Sequence, residues 1–368
     1  MTRARGPALV FAVLALAPLF FSPGGDVLNN MVLAATYVVM ALGLNIIVGF
    51  AGLLDLGYVA FYAIGAYTAA YFGSGFWANA DVAVLAGNSV AKAPGIHLNF
   101  VLILVLAVVA TVIAGALIGL PTLRLRGDYI AIVTLAFGEI IGQVVSNGRR
   151  IELFGGTLTS GPDNIGPIDR IELPLIGRFG ALDLRPWYWF ALALVALVLL
   201  ANINLRRSRM GRAWLALRED EQVAAGCGIP IVRVKLMAYA TGAAFGGIAG
   251  AFFASYLGVV NAGQFEFSFS IFIFAMVVLG GLGSIWGVVT GAIVLSIVNH
   301  YLLPEVLYDL PSKVGLDFDL SMISSGLYGL ILVVVMLLRP QGLVPTRRTA
   351  PATKLRTLPR PQPVQRAT

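Results

Sequence analysis

Two carboxylates stand among apolar neighbours. Asp55 falls in a glycine-bearing break, GFAGLLDLG at 49–57, and Glu139 lies about 16 Å along a helix beginning at Asp128, at 1.5 Å rise per residue. A carboxylate so placed can hold a cation, carry a proton, or cap backbone N–H groups freed at a helix break. The break favours a structural, capping role for Asp55. Glu139 divides evenly between lining a polar path and hydrogen bonding between helices, because an ionised carboxylate at a bilayer centre costs roughly 2.5–3.5 kcal/mol. Tyr58 and Tyr62, just past the break, complete a candidate pathway set of Asp55, Tyr58, Tyr62 and Glu139. Other chemistry is sparse. His97 and His300 are far apart and show no metal-ligand spacing, and the lone Cys227 excludes an internal disulfide. The dipeptide Gly-Lys is absent, so no phosphate-cradling loop of the GxxxxGK[ST] kind exists. No catalytic constellation, cofactor, metal site or nucleic-acid partner is expected.

The elements that must position these residues are membrane helices. The chain of 368 residues is 58% hydrophobic and 12% charged, with mean hydropathy +0.88, too apolar for a water-soluble core of ordinary size. Apolar runs able to cross about 30 Å of hydrocarbon recur at 27–54, 56–80, 93–123, 186–205, 236–265, 267–304 and 320–338. Backbone groups in lipid must be paired within the segment, so these runs are read as helices. The long run at 267–304 is split by GGLGS at 280–284, giving two helices and a tight turn. With an apolar first segment at 7–21, read as a membrane helix rather than a cleaved signal, and 128–146, the reading is an all-α polytopic membrane helix bundle of about ten transmembrane helices.

Arg3, Arg5, Arg124, Arg126, the seven basic residues from Arg206 to Lys235 and the seven from Arg339 to Arg366 then share one face. By the positive-inside rule that face and both termini are cytoplasmic. Residues 1–338 are read as one transmembrane domain, with a cytoplasmic loop at 205–230 and an outer loop at 147–186. Residues 339–368 read as a disordered basic cytoplasmic tail able to meet anionic lipid. Gly242, Gly246, Gly250 and Ala254, and again Gly283, Gly287 and Gly291, recur every four residues, a spacing that lets helix backbones approach closely in lipid. The two glycine-rich breaks, at 49–55 and 280–284, could mark an inverted repeat.

The basic loop holds good helix formers from Arg212 to Ala225, and Trp214, Leu217 and Arg218 fall on one side of that helix. Such a helix can lie in a partner's groove or among lipid headgroups.

Several motifs then carry a resemblance. LRLRGDYIAIVTLAFGEI at 123–140, LGYVAFYAIGAY at 56–67, GRAWLALREDEQVAAGCG at 211–228, VLGGLGS at 278–284 and RPQGL at 339–343 resemble, in the same order, the M-type permease subunit of bacterial high-affinity branched-chain amino acid ABC importers. The resemblance implies a multi-pass protein of the bacterial inner membrane, in which residues 1–338 are a permease domain, the inner loop at 205–230 a coupling loop and the outer loop at 147–186 periplasmic. Its implied partners are a second related permease, two ABC ATPase subunits, a periplasmic substrate-binding protein and a branched-chain amino acid substrate. The family's ATPase-docking loop is matched in spacing by Glu221, Ala224, Ala225 and Gly228, so Arg212, Trp214, Leu217, Arg218, Glu221, Ala225 and Gly228 are the expected docking residues. The element LTSGPDNI at 158–165 resembles a family outer-loop motif, from which Ser160 and Asp163 depart. The alternatives are a self-sufficient ion-coupled secondary transporter of a small amphipathic solute, with Glu139 or Asp55 carrying the proton, and, less consistent with the absence of a filter motif, a channel.

Overall fold

The computed structural model describes residues 16–19, 21–77, 82–84, 94–122, 125, 127–153, 156–173, 177–180 and 182–300, and near the C-terminus 326, 330, 333–334, 337 and 342–344. Most of the expected first helix at 7–21, most of the crossing at 320–338 and most of the basic tail lie outside the described residues.

Ten α-helices build the described part: α1 Asp26–Leu44, α2 Val59–Phe72, α3 Phe100–Thr122, α4 Asp128–Asn147, α5 Arg185–Arg207, α6 Arg209–Glu219, α7 Glu221–Gly226, α8 Ile231–Leu257, α9 Phe267–Gly280 and α10 Ile285–Ile297. Six helical stretches are long and apolar enough to cross a bilayer, and α2 and α10 are shorter apolar helices beside them. The polytopic helix bundle expected from hydropathy is therefore present. Helix α1 runs on into a π-helical segment, Asn45–Phe50, before the chain turns.

The helices alternate between two ends. At one end, the loop ahead of α5 returns to the start of α1, where the Leu184 N–H donates to Pro23 O at 2.9 Å. Short strands gather there too: β1 Gly73–Ser74, β2 Val82–Val84, β3 Ile96–Leu98, β4 Glu152–Leu153, β5 Gly156–Thr157, β6 Glu172–Leu173 and β7 Gly177–Arg178. They form one three-stranded sheet, order β1-β3-β2, and two hairpins. An Ile165–Val260 bridge joins this lobe to the chain after α8. At the other end lie Phe50, the close of α5, the α6–α7 hairpin, the start of α8 and the α9–α10 turn. The Arg206 guanidinium sits 5.8 Å from the Phe50 ring centroid, and the Leu343 N–H returns to Leu279 O at 2.9 Å.

Helix α8 is the central post, packed along α1, α2 and α3. The glycine row lets it do so: a Cβ on Gly250 would overlap Tyr62 O and stand 2.8 Å from Ala66 N, and one on Gly246 would stand 3.0 Å from Phe61 Cβ. With no hydrophobic reward between helices in lipid, such backbone approach supplies dispersion contact that larger side chains would prevent.

Candidate functional site

Between the π-helical segment and α2 the chain is not helical, and the expected crossing from residue 56 resolves into an extended entry and the 14-residue α2. Extended backbone at membrane depth needs partners from protein. The Leu56 N–H donates to Thr134 Oγ1 on α4 (3.1 Å), and Ser270 Oγ on α9 donates to Leu56 O (2.6 Å). Asp55 is 2% exposed, and its Oδ1 accepts the Gly57 N–H at 2.9 Å in a local turn ahead of α2, whose own N-cap, Tyr58, makes no side-chain cap bond. Tyr58 is fully buried and donates its hydroxyl to Gly242 O on α8 at 2.8 Å. Tyr62 packs among the rings of Phe253, Phe265 and Phe269. These three candidates belong to the packed interior in this conformation.

Glu139 differs. It is exposed and lines a cleft of about 400 Å³ between the second half of α4 and the start of α9, with Gln143, Ser146, Glu266 and Ser268. The exposed face of α4 carries Tyr129, Ile132 and Ala136, then Glu139, Ile140, Gln143, Ser146 and Asn147, polar but for Ile140 in its second half. By contrast, the exposed face of α3 is Val101, Val105, Val109, Ile113, Leu117 and Leu120. Hydrocarbon suits α3. The polar half of α4 needs water or protein against it.

The basic loop forms two short helices at a sharp corner. Ser208 caps α6 by accepting the Gly211 N–H at 3.1 Å, and Asp220 caps α7 by accepting from Gln222 N and Val223 N at 2.8 and 3.0 Å. Trp214 is fully buried with its indole N–H on Val234 O (2.9 Å), and Leu217 is buried beside it. Glu221 pairs with Lys235 at 2.8 Å, and Lys235 is itself 1% exposed. These contacts clamp the hairpin to the start of α8. Arg218 also turns toward the protein, donating from Nη1 to Gly49 O at 2.5 Å. Of the seven expected docking residues, Arg212, Arg218, Ala225 and Gly228 are exposed, together with Val223 and Cys227. Trp214 and Leu217 are buried and Glu221 is half-buried against Lys235, bracing the hairpin from within, while the exposed Arg218 is held by its bond to Gly49.

At the opposite end the motif at 158–165 bolts the lobe to the bundle. Thr159 Oγ1 donates to Val145 O (2.6 Å) and accepts the Gly161 N–H (3.0 Å), Arg149 pairs with Asp163, and Asn261 donates to Asn164. Sequence reasoning missed Thr134, Ser270, Glu266, Lys235 and Asn45. Hydroxyls escape notice because Ser and Thr can satisfy themselves on their own helix, as Thr134 also does on Ala131 O at 3.1 Å.

Apolar spanning helices, a polar face left open within them and a clamped basic hairpin at one end define a multi-pass helical membrane transport protein. Residues 27–338 match the model of the family described as branched-chain amino acid transport system / permease component, and the chain belongs to that family. Its members are permeases, not enzymes. The high-affinity branched-chain amino acid transport system permease protein LivM of Escherichia coli (strain K12) is 37% identical over 368 residues, covering 94% of this chain and 75% of its own length. The probable permease protein LivM of Methanocaldococcus jannaschii is 28% identical, covering 84% of this chain and 91% of its own length. The permease protein LivH of the E. coli system is 27% identical over 73% of this chain and 82% of its own. No solved structure matches.

Proposed function

We propose that this chain is one permease subunit of an ATP-driven importer of branched-chain amino acids in the bacterial inner membrane. It pairs with a second related permease, is driven by two ATPase subunits and receives substrate from a periplasmic binding protein. The observation that carries this reading is the open polar face of α4. A bilayer would not accept Glu139, Gln143 and Ser146, so a second subunit covers them and the solute path runs along that seam. Two distinct relatives, LivM and LivH, are each named as permease proteins of a high-affinity branched-chain amino acid system, consistent with a paired arrangement.

The described helices alternate in direction. With a first helix at 7–21 and a last at 320–338 the count is ten, both termini lie inside, and the basic hairpin faces the cytoplasm in agreement with the positive-inside rule. Arg212, Val223, Ala225 and Gly228 then form the surface offered to an ATPase. Apolar walls suit the Leu, Ile or Val side chain, and the open carboxylate of Glu139 suits the ammonium group.

The test is reconstitution of the chain with its companion permease, ATPases and binding protein, followed by radiolabelled leucine uptake. ATP-dependent uptake requiring every subunit is expected. The exposed Glu139 would equally serve a proton-coupled carrier, so leucine uptake by the chain alone under a proton gradient would replace this reading with secondary transport.

A further inference from the structure

We infer that Arg218 is the positioning residue through which movement of the α6–α7 hairpin reaches the α1–α2 and α9–α10 turns at once. The inference rests on the proposed coupling of that hairpin to an ATPase and adds how the motion would enter the bundle.

Three parts of the chain meet at this side chain. Its Nη1 donates to Gly49 O at 2.5 Å, where the π-helical end of α1 gives out. Its stem lies over Gly52: a Cβ there would stand 2.8 Å from Arg218 Cγ. Its guanidinium lies against the α9–α10 turn: a Cβ on Gly283 would stand 2.6 Å from Nη1 and 2.9 Å from Gly49 O. Gly52 and Gly283 also hold positive φ, 72° and 79°, so neither position suits another residue.

The two breaks hold each other as well, through the Gly283 N–H on Asn45 Oδ1 at 2.9 Å. The guanidinium therefore rests on a junction of two inter-helix turns and not on a single helix end. A turn between helices can shift without unpairing a long hydrogen-bond ladder. Trp214 and the Glu221–Lys235 pair fix the hairpin to α8, and Arg218 is the arm reaching from it to α1 and to α9–α10. Its planar, permanently charged fork can keep its carbonyl acceptor while the hairpin tilts, which the single ammonium of lysine does less well.

The experiment uses the complete transporter in proteoliposomes and reads three quantities: co-purification of the ATPases, ATP hydrolysis, and leucine imported per ATP hydrolysed. Arg218→Ala is expected to keep assembly and hydrolysis within twofold of the parent while leucine imported per ATP falls at least tenfold. Arg218→Lys should recover part of that ratio. A parent-like ratio in Arg218→Ala overturns the inference. So does parallel loss of assembly and uptake, which would make Arg218 an ATPase contact. Should Arg218→Ala fail to accumulate, Arg218→Lys decides: an intermediate ratio supports the linkage and an unchanged one overturns it. A parent complex without ATP-driven uptake would instead remove the importer reading beneath it.

Discussion

The side-chain oxygen of Asn45 accepts the backbone N–H of Gly283 at 2.9 Å, joining residues 238 apart in sequence. Asn45 is fully buried and opens the π-helical segment, while Gly283 lies in the turn between α9 and α10. One amide thus ties the end of α1, just ahead of the break at 49–55, to the break at 280–284, a contact that the spacing of the two breaks in the sequence does not report.

Asn45→Leu should therefore destabilise the bundle by about 1–3 kcal/mol, the penalty for leaving a buried donor without its acceptor. Thermal unfolding of the detergent-purified chain measures this. A midpoint equal to the parent's would mean that the Gly283 N–H finds another acceptor.

Backbone approach makes the glycine row selective. Gly250→Leu must push α8 away from α2, because even a Cβ collides with the Tyr62 carbonyl, whereas Gly226→Ala meets nothing within 4 Å. The first change is expected to cost more than 3 kcal/mol or prevent accumulation, by overpacking at a backbone contact that cannot give, and the second less than about 0.5 kcal/mol. Membrane abundance and melting of the two variants would separate them, and equal behaviour would refute the packing assignment.

At the hairpin, Lys235 is buried against Glu221. Removing the acid alone strands a buried cation, at about 3–5 kcal/mol where a pair is fully enclosed. Glu221 is 32% exposed, which reduces that figure here. Glu221→Gln should therefore destabilise more than the double change Glu221→Gln with Lys235→Met. A double-mutant cycle on unfolding free energy checks the order, and additive single effects would show that the two charges are not coupled.

Trp214 and Val223 share the hairpin but not its role. Trp214→Ala should lower stability by about 3–5 kcal/mol through lost packing and the vacated Val234 carbonyl. Val223, 63% exposed, should tolerate Asp in folding assays while weakening ATPase co-purification severalfold. Undiminished co-purification of Val223→Asp would move the docking surface elsewhere.

Much of this arrangement was legible in the residues. The helix breaks at 49–55 and 280–284, the close-packed glycine row of α8 and the local turn held by Asp55 follow from local composition, which acts within a few residues. The grouping of Trp214, Leu217 and Arg218 on one side of α6 was also legible, but not where that side points. An aromatic and aliphatic stripe fits a partner's groove as well as the protein's own core; burial and the Val234 carbonyl place Trp214 and Leu217 inside, while Arg218, though bonded to Gly49, stays exposed. The extended entry to α2 was hidden for a similar reason. Its backbone is satisfied by Thr134 and Ser270, 78 and 214 residues away from Leu56, and hydropathy does not report such pairings.

Glu139 gives the sharpest test of the seam between permeases. In the assembled importer Glu139→Gln keeps the shape of the side chain but loses its charge. If the carboxylate meets the ammonium of a passing amino acid, leucine uptake should fall at least tenfold with assembly and ATP hydrolysis retained. Accessibility supplies the independent check. With the exposed Cys227 first replaced by Ser, Glu139→Cys should react with a water-soluble thiol reagent in the complete complex, and leucine should slow the reaction. Ile132→Cys, two helical turns away on the same exposed stripe but among apolar residues, should react far less. Equal labelling at both positions, or none at 139, would place the water-filled path away from α4.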